Sequence, residues 1–567
     1  MRARDARRLT GPNLELGLRE GPGAVVELAF DAGEDPATLT EAVAAALRGV
    51  IGAPTQHVTA RAWPGGAAVA TGGAIDTLYA LVDALEWAAE HVAGSAELSP
   101  AAASARYHDA VRTQANARLL ALEAAAAERG APFLWDDDAV SVGYGHRSRT
   151  WAAGDVPAVD EVPWGEVGAV PIAVVTGTNG KTTTSRMLTR ILTHAGHVVG
   201  ASSTDGIVVG GELVEKGDWT GPGAARRILR DPAVTAAVLE TARGGMLRRG
   251  LGVSACDAAV VTNIAEDHFG DHGIASLESM ARVKALAWSI VREGGRRVAN
   301  AEDPTLVARV AEEPGAGHPD AGWVFFAREA AHPVIAAHRA AGGEAWVVDG
   351  DAIARCLGAE AHPVLPLAEL PAAFGGAAVH NVANALAAAA TAAGLGVDDA
   401  TIAGALRSFG RAPDDNPGRL EVYERGGVRV LLDFGHNPHG VRAVHGPIAA
   451  LMAQAPGGRV AVCVGQAGDR SDADLQALVH EACRVNPARA FVRPLPGYER
   501  GRATGDTERV LRAAFLAEGL TPDDVIDVAD EIDALERGFA WARPGDLLVH
   551  LVHVQRADCR RWLEARP

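Results

Sequence analysis

The stretch Val174-Val-Thr-Gly-Thr-Asn-Gly-Lys-Thr-Thr-Thr184 constrains this chain more than any other. An apolar, β-branched run enters a Gly-rich turn, and a helix is expected to begin near Lys181. Gly177 and Gly180 let the backbone turn its N–H groups inward, and those donors, with the helix N-terminus, hold phosphate oxygens. Thr178, Asn179 and Thr183 fall within the same cradle. Lys181 is placed to neutralise β- and γ-phosphates, and the Thr182 hydroxyl to bind Mg²⁺. The usual longer pattern would put Gly at position 175, where Val stands, so the match is to the shorter Gly-Thr-Asn-Gly-Lys-Thr form. A Gly-rich turn with an exposed lysine is the bland alternative, and the strand–loop–helix context weighs against it.

Around this loop the texture is that of a parallel sheet covered by helices. Ile172–Val175, Ala236–Leu239 and Ala258–Val261 read as strands, and a second set follows Gly418, with Val428–Leu432, Val460–Val464 and Leu547–Val552. The two sets part near Ser408–Gly418, a polar loop holding Pro413 and Pro417. Ahead of them, Val25–Phe30 and Ala67–Ala70 read as strands, and Leu39–Leu47 and Ile75–Ala93 as helices. Ser99–Arg129 reads as one long Ala-rich helix, and Ala152–Gly168 as a linker rich in Pro, Gly and acids. The expected class is α/β: a small α+β domain over 1–130, a linker or remnant over 131–168, a central phosphate-loop domain over 169–412 and a Rossmann-like domain over 413–567.

Composition excludes several roles. The chain has 567 residues, 48% of them hydrophobic, and a net charge of −18 with no basic block, which argues against nucleic acid as the main partner. No apolar run approaches the roughly 20 residues of a membrane span. Met1-Arg-Ala-Arg-Asp5 leads into no signal core, so a cytoplasmic protein is expected. The five cysteines lack a CxxC pair, which fits reduced structural thiols and not a zinc site. Glu86, Glu90 and His91 lack the HExxH spacing and read as a solvated helix face.

Several further motifs follow the phosphate loop in a fixed order. They are Glu240-Thr-Ala-Arg-Gly-Gly-Met-Leu-Arg-Arg-Gly-Leu-Gly252, Thr262-Asn-Ile-Ala-Glu-Asp-His-Phe-Gly-Asp-His272, Asn300-Ala-Glu-Asp-Pro304, His380-Asn-Val-Ala-Asn384, Gly418-Arg-Leu-Glu421, Asp433-Phe-Gly-His-Asn-Pro438, Gly468-Asp-Arg470 and Arg543-Pro-Gly-Asp546. With Gly-Thr-Asn-Gly-Lys-Thr, this series resembles the Mur ligase superfamily, and in particular its cyanophycin synthetase branch. Arg8-Leu-Thr-Gly-Pro-Asn13 and Val140-Ser-Val-Gly-Tyr-Gly-His-Arg147 resemble that branch's N-terminal part. There the chain departs from the pattern: an ATP-grasp domain follows that part in the family, whereas here only about 30 residues separate it from the phosphate loop, too few for such a domain.

The resemblance implies ATP and Mg²⁺ as cofactors, and a carboxylate activated as an acyl-phosphate before an amine attacks it. It implies that Glu240, His268 and a carbamylated Lys284 hold metal ions, with Thr182 and Thr204 beside them and Asp267 orienting His268. Asn300 is then expected to contact adenine, and Arg419, Asp433 and His436 to reach the nucleotide from the C-terminal domain. Lys181, Glu240, His268 and Lys284 form the expected catalytic set. On residue type alone, Arg243, Arg248 and Arg249 suit an acceptor's carboxylates, and Arg470, Arg500 and Arg502 suit that of an incoming amino acid, with a solvated surface as the plain alternative. The leading expectation is an ADP-forming ligase joining an amino acid to a carboxylate on a peptide or polymer, alongside a separate ATP-grasp ligase. A γ-glutamyl or small-peptide ligase, and a non-catalytic nucleotide-binding partner of a synthetase, remain open. A homo-oligomer with no nucleic-acid or membrane partner is implied.

Overall fold

The computed structural model describes residues 1–16, 22–52, 58–266, 270–313, 315, 318 and 321–566. The chain forms two compact units: Met1–Val347 with Arg355–His362 and Ala387–Ile402, and Val348–Ala354 with Pro363–Leu386 and Ala403–Pro567. Each is described by itself below.

The first unit opens with a four-stranded antiparallel sheet of β1 (Arg2–Leu9), β2 (Gly23–Ala29), β3 (Val58–Trp63) and β4 (Gly66–Gly72), in the order β1-β2-β4-β3. The helices Pro36–Ile51 and Leu78–Ala93 lay their apolar faces on it, burying Val43, Leu47, Leu81 and Leu85 against Val26, Leu28 and Val69. β1 has no apolar alternation, since four of its eight residues are arginine and one is aspartate. It is a strand because it pairs along β2 from Arg2 opposite Ala29 to Leu9 opposite Gly23.

The long helix expected over Ser99–Arg129 is two helices, Pro100–Gln114 and Ala117–Glu128. Asn116 breaks it: its backbone leaves the helical region and its side chain accepts the Leu119 N–H, as an N-cap does. Asp76 accepts the Asn116 N–H at 2.7 Å and fixes the corner. Residues 131–168 are also more than a connector. β5 (Phe133–Trp135), β6 (Ala139–Val142) and β7 (Arg149–Ala152) form an antiparallel sheet. Val140, Val142, Val156, Val162 and Val167 bury there with Leu122. Pro and Gly punctuation hid apolar residues too widely spaced to give a period.

The central sheet is built from β8 (Ile172–Thr176), β9 (Val199–Ser203), β10 (Gly206–Val209), β11 (Glu212–Lys216), β12 (Ala236–Glu240), β13 (Cys256–Val261), β14 (Val291–Asn300), β15 (Trp323–Ala327) and β16 (Glu344–Asp349). These run in the order β11-β10-β9-β12-β8-β13-β14-β15-β16, and every pairing is parallel except the two made by β10, with β9 and with β11. From β8 the chain crosses β12 to reach β9, and from β12 it crosses back over β8 to β13. Connections thus leave in opposite directions beside β8, which opens a crevice at the carboxyl ends of these strands.

Two further strands follow, β17 (Ala352–Leu357) and β18 (Glu360–Pro366). The second unit then carries β19 (Glu421–Arg425), β20 (Val428–Asp433), β21 (Val460–Val464), β22 (Arg489–Val492), β23 (Val525–Asp527) and β24 (Leu547–Leu551), in the order β19-β20-β24-β21-β22-β23. Only β19 is antiparallel. Apolar clusters cover both faces. At the carboxyl ends Arg493 and Glu531 form an ion pair at 2.9 Å, with side chains 1% and 2% exposed. Glu531 accepts the N–H groups of His553, Val554 and Gln555, which pins the loop after β24. The cysteines are free, and all but the half-buried Cys483 are buried.

His550, inside β24, is 2% exposed. Burial, helped by the Arg493 charge, pushes its pKa down to about 3 from an ordinary 6.5. The folded state therefore keeps this imidazole neutral while the unfolded chain protonates it. Its contribution is intact above pH 6.5 and erodes between pH 6.5 and 3, with a slope approaching about 1.4 kcal/mol per pH unit. Denaturant unfolding from pH 7 to 4 is expected to show a shallower fall for His550→Asn than for the parent.

Candidate active site

Three parallel strand ends are stitched together where β8 meets its helix. Thr176 donates its hydroxyl to Thr241 O at 2.7 Å, and Thr262 N–H donates to Thr176 O at 2.9 Å. Gly177 follows with φ +149°, and a Cβ there would lie 1.8 Å from Thr262 Oγ1. The position thus excludes every side chain on both conformation and space. Asn263 then shapes the turn: its carbonyl accepts Thr178 N–H at 2.9 Å, its Oδ1 accepts Asn179 N–H at 3.0 Å, and its Nδ2 donates to Asn179 O at 2.9 Å. Gly180, in the left-handed region at φ +83°, starts the helix Lys181–His194, and no side chain caps that helix. Its first turn therefore points N–H groups without intrahelical partners into the crevice, the arrangement that receives phosphate.

Charged and hydroxyl groups gather at this turn. Lys181 Nζ folds back onto Gly177 O at 3.1 Å and Thr178 O at 2.9 Å. Thr182 Oγ1 donates to Glu240 Oε1 at 3.2 Å and lies 3.5 Å from Thr204 Oγ1. Glu240, the last residue of β12, is 1% exposed. Thr204 sits in the β9–β10 turn, which the Arg186–Asp205 pair at 2.6 Å holds. Lys284 ends the helix Leu277–Lys284, is 3% exposed and donates to Gly177 O at 2.8 Å. A carboxylate and two hydroxyls in a row, with Thr182 in the middle, are a hard-oxygen set of the kind Mg²⁺ takes together with phosphate oxygens, so these residues fit the cation. Among the described residues, no group of three or more His, Cys, Asp and Glu could hold a metal unaided. Asp267 and His268 lie outside the described residues, so their expected metal role is not seen in the geometry.

Other expected residues have defined places. Asn300, at the end of β14, donates to Thr262 O at 3.0 Å and accepts Glu302 N–H, so it braces the same crevice rim. Asp303 escaped the sequence reading, although it accepts Ile264 N–H at 2.6 Å and caps the helix Pro304–Ala311. Its Asp-Pro pair before a helix was the available signal. Arg243 begins the short helix Arg243–Arg249, half-buried, whereas Arg248 and Arg249 at its end are exposed. Glu86, Glu90 and His91 are exposed on their helix, as their spacing implied.

In the second unit, Arg419 stacks over the Phe434 ring at 4.2 Å, and His436 lies 5.3 Å from the same ring. Burial pushes the Asp433 carboxyl up, against the opposing Arg419 charge, while Leu420 and Gly435 N–H groups donate to it. These three residues are thus brought together. Arg500 pairs with Asp469 at 2.6 Å. Arg502 donates to Gly468 O and Arg470 O and pairs with Asp472 at 2.7 Å, which makes it a brace of the 468–472 loop. Gln466, buried just past β21, escaped the sequence reading: its Nε2 has no hydrogen-bond partner among the described residues.

A family model for the Mur ligase middle domain matches residues 175–392, and one for the Mur ligase glutamate ligase domain matches residues 418–551. The chain belongs to the Mur ligase family. It is 39% identical over 380 residues to the cyanophycin synthetase of Crocosphaera subtropica, an alignment covering 67% of this chain and 42% of that protein. With the cyanophycin synthetase of a Synechocystis species the identity is 38% over 395 residues, or 69% of this chain and 44% of that one. The chain therefore spans less than half the length of these relatives. Among solved structures, the bifunctional folylpolyglutamate synthase/dihydrofolate synthase of Yersinia pestis superposes with a TM-score of 0.51 at 21% identity, covering 70% of this chain and 90% of that one. The Escherichia coli FolC complex with DHPP and ADP gives 0.50 at 24%, covering 70% and 89%. These establish the Mur-ligase-like α/β fold.

Within this Mur ligase middle domain, Gly177→Ala is expected to abolish measurable uptake of a fluorescent ATP analogue with Mg²⁺, a loss on the order of a hundredfold or more, and to lower the unfolding midpoint, because the added Cβ meets Thr262. Undiminished binding by the variant would contradict the geometry of the turn.

Proposed function

We propose that this Mur ligase activates a carboxylate with ATP as an acyl-phosphate and joins it to the amine of an amino acid, on the side chain of a cyanophycin-like peptide or polymer. The observation that carries the reading is the buried Glu240 carboxylate 3.2 Å from the Thr182 hydroxyl, at the mouth of the Gly-rich turn. Similarity to cyanophycin synthetases over 380 residues supports the substrate class.

On this reading each residue does one thing. The backbone of Gly177–Gly180 and the first helical turn hold the triphosphate, and Lys181 leaves its carbonyl contacts to neutralise the terminal phosphate. Thr182, Thr204 and Glu240 hold Mg²⁺, with His268 and a carbamylated Lys284 as a second set. That cation offsets the charge that builds between carboxylate and phosphate. Lys284 suits the role by place, since it is buried with its amine against Gly177 O of the phosphate turn. Arg243 and Arg248 orient the acceptor's carboxylates by paired N–H donors. Asn300 contacts the adenine, and Arg419, Asp433 and His436 contact the nucleotide from the C-terminal domain. Arg470, Arg500 and Arg502 receive the incoming amino acid.

The reading predicts amine-dependent ADP release when the chain is given ATP, Mg²⁺, an aspartate-rich peptide and the right member of a panel of amino acids. Glu240→Gln should lower that rate by at least on the order of a hundredfold, and removing bicarbonate should lower it through Lys284. Tight nucleotide uptake with no amine-dependent turnover across the panel, with or without a separate ATP-grasp ligase, would favour the non-catalytic partner instead.

A further inference from the structure

The first unit holds a buried charge network that the chemistry above does not use. Glu27, in β2, has a side chain 9% exposed, and its Oε1 accepts from Arg7 Nη2 at 2.5 Å and from His272 Nδ1 at 2.5 Å. Arg7 lies on the neighbouring strand β1, and His272 lies 245 residues away in sequence. Burial alone would raise the Glu27 pKa, yet the His272 hydrogen bond and the Arg7 charge hold it down to about 2. It is a charge kept in place by its partners.

Each partner grips a different piece of the middle domain. Arg7 Nε donates to Arg248 O at 2.8 Å and Nη2 to Leu247 O at 3.2 Å, so its cation closes the end of the helix Arg243–Arg249. The chain beside it adds Thr10 N–H to Arg249 O at 2.9 Å and Leu251 N–H to Pro12 O at 2.7 Å. His272 sits in a left-handed turn at φ +53°, a conformation that costs a histidine free energy and persists only where its surroundings hold it. Those surroundings belong to the N-terminal sheet: Glu27 takes the imidazole, Arg61 donates to His272 O at 3.1 Å, and the Trp63 indole packs so close to Gly273 that a Cβ would lie 2.4 Å from it. One carboxylate therefore joins the helix carrying Arg243 and Arg248 to the turn at 270–274.

We propose that Glu27 is a positioning residue of the ligase, fixing through Arg7 and His272 the relative placement of the Arg243–Arg249 helix and the 270–274 turn on the acceptor side of the site. The N-terminal sheet is thus part of the catalytic apparatus, acting at a distance from the phosphates. The kinetic half of this rests on the ligase reading above; the tether itself does not.

The test compares the full chain with Glu27→Gln, which keeps the shape and loses the charge, and His272→Gly, which keeps the turn's φ and loses the imidazole. In the ligand-free proteins, amide exchange over 243–251 and 270–274 should speed by about tenfold or more in both variants, with 174–184 unchanged. ADP release should then fall about tenfold in kcat with the KM for ATP unchanged. If Glu27→Gln fails to fold, His272→Gly carries the comparison, because its half-buried imidazole is the weaker anchor. Unchanged exchange in both segments overturns the proposal, as does a uniform rise across residues 1–152 or faster exchange with kcat intact. A parent chain that releases no ADP overturns the ligase reading, and exchange still decides the tether.

Discussion

Gly177 has no room for a side chain, and the central domain is arranged around that fact. The residue is wedged under Thr262 between the ends of β8 and β13, in a backbone conformation that only glycine adopts freely. This contact brings the Gly-rich turn down onto the sheet, so that its carbonyl meets two amines, Lys181 and the buried Lys284. The neighbouring strand end supplies Glu240 on the other side. On the proposed reading, a phosphate group entering this crevice meets preset backbone donors and a carboxylate–hydroxyl set, while Lys181 turns from its carbonyl contacts to meet it.

Much of this was legible in the residues. The β-branched runs from Ile172, Ala236 and Ala258 give the three strands that carry the site, because a doubly covered parallel strand must be apolar on both faces. The Gly spacing marks the turn between them. What escaped was whatever depends on partners distant in sequence. The strand Arg2–Leu9 looks like a solvated charged segment until β2 pairs with it. The break at Asn116 is a contest between an Asn cap and Ala-rich helix propensity, and the cap wins because Asp76 also holds that corner. Glu27 reads as an isolated acid in an apolar strand, since neither Arg7 nor His272 is near it in sequence. Asn263 and Asp303 stood in plain view, but shaping a turn leaves no spacing signature.

The two units divide polar work differently. In the first, polar groups converge on an open crevice, and the hydrogen bonds are those of a shaped receptor. In the second, two deeply buried charges, Arg493 and Glu531, are engaged with each other and with the backbone of the 553–555 loop. That pair stiffens the carboxyl ends of the strands, near which the buried Gln466 Nε2 has no partner among the described residues and Arg502 ties down the 468–472 loop.

In the proposed ligation, phosphate passes from ATP to a carboxylate oxygen before the amide forms. The most direct measurement follows oxygen: an aspartate-rich peptide labelled with 18O in its side-chain carboxylates is incubated with the chain, ATP, Mg²⁺ and the accepted amino acid, and the released phosphate is analysed by mass. The account predicts that each phosphate formed during ligation carries one 18O from the peptide. Phosphate that takes its new oxygen only from water would contradict it.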